Sequence, residues 1–212
     1  GGAVLLQNGQ IPASFSHNVA GTAPRTAVGF SADKKTMFLV VVDGRQATSR
    51  GMTQKEMAQL MLKLGASDAL NLDGGGSSTM VVRPLGEKNP TVINRVSEGV
   101  QRLIANGLGI FTNAPKGKVH GLKIVAKSFN VPKGGSRTFE VRAYDEYFNP
   151  LDIDQSQVKW SVSKDIGVFE GNVFKARSSG FGQVTASYGG ITASQEIMVM
   201  GNPVKLSITP DK

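Results

Sequence analysis

The chain has 212 residues, 40% of them hydrophobic and 19% charged, with a net charge of +8 and no cysteine. That length fits one large domain or two small ones, and the lack of cysteine excludes disulfides, thiolate metal sites and a cysteine nucleophile. The basic excess is spread along the chain, without the Lys/Arg cluster and interleaved aromatics of a nucleic-acid binder. No apolar run approaches the ~20 residues of a membrane-spanning helix. A mildly basic surface favours anionic ligands, and a phosphate-bearing glycan is one.

The first residues, "GGAVLLQNGQIP", lack the basic region and long apolar stretch of a secretory signal. An apolar strand begins within three residues, so we expect a piece of a longer polypeptide, and the missing signal leaves the compartment open. Next comes "TMFLVVV" (Thr36–Val42), a continuous apolar run of the kind expected for a strand buried on both faces. "TQKEMAQLMLKLGA" reads as a helix: Thr53 and Glu56 form a capping box, Met57, Leu60, Met61 and Leu64 make one stripe, and Gly65 is the stop. "DALNL" follows as a strand, which completes a β–α–β unit with parallel strands. "RLIANGLGIF" (Arg102–Phe111) predicts a further strand with a glycine-broken pattern.

After the linker 113–120 the rhythm changes. Short alternating stretches separated by Gly, Pro, Asn and Asp describe a small all-β sandwich over 121–201. Trp160 reads as its core anchor. Tyr144, Tyr147 and Phe148 suit either turn-edge packing or a sugar-stacking platform. The stretch 202–212, with "VKLSITPDK", resembles "LKIVAKSFNVPKGG" and is expected to begin a second sandwich repeat. The fold class is thus an α/β (α+β) domain with a β–α–β unit and a mixed sheet, followed by an all-β sandwich.

The informative stretch of the first half is "DALNLDGGGSSTMVV". Ligands of an open α/β sheet collect at the carboxyl ends of parallel strands, where "VVVDGR" ends on Asp43 and "LNLDGGG" on Asp73. Neighbouring strands lie about 4.8 Å apart, close enough for the two carboxylates to face one crevice. Such a pair suits glycosidic bond cleavage, with one group as proton donor and the other as base or nucleophile. Gly74, Gly75 and Gly76 permit close backbone approach and leave successive N–H groups for an anion, beside the hydroxyls of Ser77, Ser78 and Thr79. Arg25, Arg45 and Arg102 could grip a phosphate in bidentate fashion. Spacing alone also fits a plain turn, since Asp-Gly is common in turns. "GGGSST" lacks the lysine and spacing of a P-loop. His17 and His120, the two histidines, sit in loop-like stretches and make no zinc motif. A triad of Ser77 or Ser78 with His17 lacks the G-x-S-x-G elbow.

"PRTAVGF" (Pro24–Phe30), the span Leu39–Val82 and "QRLIANGLGIF" (Gln101–Phe111) resemble the phosphodiester glycosidase family. Its animal member removes N-acetylglucosamine from phosphate-linked mannose, and its bacterial relatives are exopolysaccharide-related proteins. The second half resembles bacterial Ig-like modules, a more generic likeness. The resemblance covers residues 1–112 and implies a hydrolase that cleaves a sugar-1-phosphodiester. It carries Arg25, Asp43, Arg45, Asn71, Asp73, Gly74, Gly75, Gly76, Ser77, Arg102 and Asn106 onto the family's motif positions. In this reading Asp73 is the acid/base or nucleophile and Asp43 its partner. The three arginines hold the phosphodiester, while Asn71 and Asn106 orient the sugar or neighbouring side chains. Asn71 and Asp73 alternate along the strand and share a face. No cofactor is implied, although a divalent cation such as Ca or Mg at Asp43 and Asp73 is an alternative use of those carboxylates. The implied partner is a phosphorylated or phosphodiester-linked glycan, with no nucleic acid and no membrane insertion, at an extracellular or bacterial cell-surface location. The family also has a segment before "GGAVLLQNG" that would complete the cleft, so this chain alone is expected to hold an incomplete pocket. The competing function is non-catalytic binding of an anionic glycan or cell-surface attachment.

Overall fold

The structure is a computed structural model that describes residues 2–17 and 19–202. Two compact units divide it: Gly1–Val82 with Pro90–Ile110, and Arg83–Asn89 with Phe111–Lys212. The suggested second sandwich repeat lies, from residue 203 onward, outside the described residues. β-structure dominates, with one α-helix and two short 3-10 turns among the described residues. None of the described helices is long and apolar enough to cross a membrane.

In the first unit, β1 (Val4–Leu6), β2 (Arg25–Phe30), β3 (Met37–Val42) and β4 (Asp68–Asn71) form a sheet in the order β1-β4-β2-β3. The helix α1 (Gln54–Lys63) covers one face. Thr53 and Glu56 close a capping box at its start: the Glu56 N–H donates to Thr53 Oγ1, and the Thr53 N–H donates to the Glu56 carboxylate at 2.7 Å. The bonds from the Thr53 N–H and then its hydroxyl, with Arg50 beside them, hold the Glu56 carboxyl below its ordinary range. Met57, Ala58 and Met61 are fully buried against Leu5, Leu6, Ala27 and Ala69, as a 3.6-residue stripe requires. Leu64 was expected on that stripe but is exposed. It is the C-cap, where the chain leaves the helical path into Gly65 (φ +100), and Ala66 takes the buried place instead.

Two strand expectations change. β3 and β4 run in the same direction, but β2 lies between them and pairs antiparallel with both. β3 is consequently an edge strand. Phe38, Val40 and Val42 pack toward α1, while Met37 and Leu39 on the other face are 40% and 38% exposed, so the apolar run is not buried on both sides. The predicted strand at 102–111 does not form. These residues carry no regular structure, and Leu103 and Phe111 are 99% and 89% exposed. A strand needs a partner for its N–H and C=O groups, and no ladder among the described residues reaches this segment. A small hairpin of β5 (Val81–Val82) and β6 (Thr91–Val92) completes the unit.

The second unit contains β7 (Gly121–Ala126), β8 (Asn130–Pro132), β9 (Ser136–Tyr144), β10 (Pro150–Leu151), β11 (Lys159–Val162), β12 (Gly167–Glu170), β13 (Val173–Ala176), β14 (Gly180–Tyr188) and β15 (Ile191–Met200). One sheet runs β10-β9-β13-β12 with β7 also on β9, and the other runs β11-β14-β15-β8. Inward residues of both sheets share one core around the fully buried Phe139, the arrangement of a β-sandwich. Trp160 packs into it as expected, stacked on Phe169 with centroids 5.3 Å apart. Tyr144 stacks on Phe148 at 6.1 Å, while Phe148 and Tyr147 keep exposed edges. Beside them the buried Asp145 accepts hydrogen bonds from the N–H groups of Gly117 (2.8 Å), Tyr147 (2.9 Å) and Asn149 (2.8 Å), and from the Asn149 amide (3.1 Å). Burial alone would raise its pKa, but these donors outweigh it and hold the carboxyl at about 2.

Candidate active site

β3 and β4 both end where β2 begins. Arg25 pairs with Val42, the Leu72 N–H donates to the Thr26 carbonyl at 2.8 Å, and the Gly75 N–H donates to the Pro24 carbonyl at 2.9 Å. Asp43 and Asp73 therefore leave the sheet at the same rim, on either side of the start of β2. With a strand between them, their backbones are two strand spacings apart, about 10 Å, rather than one.

A cavity of about 570 Å³ opens at this rim, lined by His17, Arg25, Arg45, Asn71, Asp73 and Arg102 together with Gly74–Gly76. A second, about 800 Å³, runs alongside and is lined by Ser77, Thr79, Arg102, Asn106 and apolar residues of β3 and of 103–108. Asp73 is exposed and borders both; its Oδ1 accepts the adjacent Gly74 N–H at 2.9 Å. Asn71, on the same strand, is 4% exposed. Its Nδ2 donates to the Leu72 carbonyl at 2.8 Å, and its Oδ1 has no hydrogen-bond partner among the described residues.

Asp43 lines neither cavity. Its Oδ1 accepts from Asn94 Nδ2 at 2.9 Å and its Oδ2 from the Arg95 N–H at 3.0 Å. Asn94 also donates to the Ser78 carbonyl (3.1 Å) and accepts from the Met80 N–H (2.7 Å), so it ties Asp43, the glycine-rich turn and the β5–β6 hairpin together. Both oxygens of Asp43 thus face donors, an arrangement that suits anchoring better than a cation shared with Asp73. No group of three or more metal-ligating side chains occurs among the described residues.

The arginines differ in setting. Arg25 is 2% exposed; its Nε donates to the Met52 carbonyl at 2.8 Å and its Nη2 to the carbonyls of Gly21 (3.0 Å) and Val19 (3.3 Å). Burial, and then the charge of nearby Arg45, push its pKa down. Two guanidinium groups thus meet at one cavity, and among the described residues neither Arg25 nor Arg45 forms an ion pair. Arg45 lies over Gly75, where an added Cβ would come within 3.3 Å of its Nη1. Gly75 also needs its positive φ of +64 for the turn. Arg102 is exposed and paired with Glu98.

The glycine turn is a single 3-10 turn, Gly75–Ser77. The row of uncovered N–H groups expected there is shorter in fact, because Gly74 and Gly75 donate to Asp73 and Pro24. The Ser78 hydroxyl is buried and accepts from Thr26 Oγ1 at 3.1 Å, whereas Ser77 reaches the second cavity. Two polar residues had no place in the sequence reading. Gln54 is buried on the apolar face of α1, and its amide grips His17 and Val19: Nε2 donates to the His17 carbonyl (2.9 Å), and Oε1 accepts the Val19 N–H (2.8 Å). A glutamine at i−3 and i−4 from Met57 and Ala58 was the visible signal. Asn94 left none.

The sequence profile of the family "Phosphodiester glycosidase" matches residues 1–111. The SPbeta prophage-derived uncharacterized protein YomE of Bacillus subtilis is 38% identical over 87 residues, 41% of this chain and 12% of YomE. The N-acetylglucosamine-1-phosphodiester alpha-N-acetylglucosaminidase of Bos taurus is 45% identical over 69 residues, 32% of this chain and 13% of that protein. The zebrafish N-acetylglucosamine-1-phosphodiester alpha-N-acetylglucosaminidase catalytic domain, solved auto-inhibited by its pro-peptide, is 30% identical with a TM-score of 0.30, covering 36% of this chain and 29% of that one. This chain spans only 12–13% of the length of those two curated relatives. With more than half of its residues inside the matched profile, the chain belongs to the phosphodiester glycosidase family.

Proposed function

We propose that the protein containing this chain hydrolyses a sugar-1-phosphodiester and releases the sugar from the phosphate. The observation that carries this reading is the meeting of two guanidinium groups, neither in an ion pair among the described residues, with a free-standing carboxylate at one cavity. Arg25 and Arg45 grip the phosphate, whose charge answers theirs. Arg102 adds a third contact at the cavity mouth. Asp73 is the carboxylate that meets the anomeric carbon as its bond to the phosphate oxygen breaks. Asn71 offers its Oδ1, unpartnered among the described residues, to a hydroxyl or amide of the sugar, with Asn106 and Ser77 along the adjoining cavity. Asp43 acts through Asn94 and Arg95 as a positioning residue, a role favoured by its two occupied oxygens.

The proposal includes a preceding segment of the same domain that completes the cleft. The half-exposed Met37 and Leu39, and the edge of β3 that pairs with no further strand among the described residues, support it. It also places the protein outside a bacterial cell, where phosphodiester-linked glycans lie, with the sandwich as an Ig-like spacer. The test is release of sugar from a UDP-linked or chromogenic sugar-1-phosphodiester by the full-length protein. Full turnover by Asp73→Asn would sink the assignment of the chemistry. Binding of anionic glycan with no release of sugar would favour an attachment module instead.

A further inference from the structure

We propose that His17 is the base that takes the proton from the hydrolytic water, an inference that rests on the reaction proposed above. The demand comes from the chemistry. In hydrolysis the water oxygen bonds to the anomeric carbon, the carbon–oxygen bond to phosphate breaks, and its electron pair stays on the phosphate oxygen. A phosphate monoester, with a second pKa of about 6, departs as an anion and needs no proton donor. One proton remains to be placed, the one that water loses.

Few groups at the cavity can take it. Arg25, Arg45 and Arg102 are guanidinium cations and accept no proton. Asn71 carries an amide. Asp43 borders neither cavity and spends both oxygens on Asn94 and Arg95, and Glu98 is held by Arg102. Asp73 faces the anomeric carbon, where its negative charge offsets the positive charge that develops as the bond to phosphate breaks. His17 is the other side chain lining this cavity that can accept a proton, through a ring nitrogen of its imidazole.

Its placement is built rather than incidental. His17 sits on an irregular segment, yet two buried polar residues hydrogen-bond to its backbone and to the residues that follow. Gln54 holds the His17 carbonyl and the Val19 N–H. Arg25 holds the carbonyls of Val19 and Gly21. Burying a glutamine on the apolar face of a helix is costly unless each polar atom is bonded, and here both side-chain atoms are bonded to this one loop. Arg25, which lines the cavity, thus also fixes the backbone that follows His17.

The experiment uses the full-length protein, a UDP-linked sugar as substrate, and His17→Gln and His17→Ala. His17 is exposed, so both variants should melt with the wild type. The expected result is a kcat at least about a hundredfold lower, with KM changed by less than about threefold. The acid-side fall of kcat should vanish in both variants, and added imidazole should restore turnover to His17→Ala. Wild-type turnover that survives either replacement overturns this inference alone, as does a loss that imidazole leaves unrescued with the pH profile unchanged. A wild-type protein that releases no sugar overturns the proposed function and this inference with it.

Discussion

Replacing Asp43 and Asp73 separately by asparagine should separate an anchoring carboxylate from a reacting one. At Asp73 the new side chain keeps an acceptor for the Gly74 N–H, the one hydrogen bond recorded for that carboxylate among the described residues. Stability should therefore stay unchanged, while kcat of the full-length protein falls by about a hundredfold or more, as when an acid–base or nucleophilic group is lost. At Asp43 the two oxygens receive Asn94 Nδ2 at 2.9 Å and the Arg95 N–H at 3.0 Å. Asparagine keeps one acceptor and turns a donor toward the other. One hydrogen bond to a charged group is worth about 1.5 kcal/mol net, and at roughly 4–8 °C per kcal/mol for a domain of this size Tm should drop by roughly 6–12 °C. The loosened Asn94 should also release the hairpin of β5 and β6. Circular dichroism melts of the 212-residue chain, followed for the first transition, measure the stability arm; sugar release measures the other. A Tm unchanged by Asp43→Asn together with a thousandfold loss of kcat would refute the anchoring role and return Asp43 to the chemistry.

Met61 is fully buried against the sheet, so Met61→Ala should cost about 2–5 kcal/mol, read as a lower urea midpoint at constant m-value. Gly51 combines φ +88 with an added Cβ that would run into the Ala23 backbone. Gly51→Ala should cost more than about 1 kcal/mol, whereas Gly9→Ala, with a similar φ but open space around it, should cost less. In the sandwich, the Asp145 carboxyl is held at about 2, below its ordinary value near 3.8. Its contribution is therefore complete above roughly pH 4 and is lost as pH falls through about 2. Asp145→Asn should lower Tm at pH 7 and shrink the gap to the wild type at pH 2, as followed by Trp160 fluorescence.

Local features of the first unit are legible in the sequence. The capping box at Thr53 and Glu56, the Met57–Met61 stripe and the turn at Gly65 depend on residues within one or two helical turns. The rim of glycines and aspartates followed from a short motif. Leu64 misled because a stripe drawn from periodicity takes no account of where the helix stops. The run 102–111 misled because its apolar content is strand-like, but a strand exists only when a partner accepts its backbone hydrogen bonds, and that partner is not set by the segment itself.

The amino-acid sequence by itself determined the helix, three strands of the first unit (β1, β3 and β4), the alternating strands of the second, and the family. Only the tertiary structure decided that β2 stands between β3 and β4, that Asp43 faces Asn94, and that Gln54 and Arg25 carry the His17 loop to the cavity. The reason is physical: periodicity and capping are short-range, whereas the pairing of β2 with β4 and the partners of Gln54, Ser78 and Asp43 are settled by contacts between residues 35 to 52 positions apart.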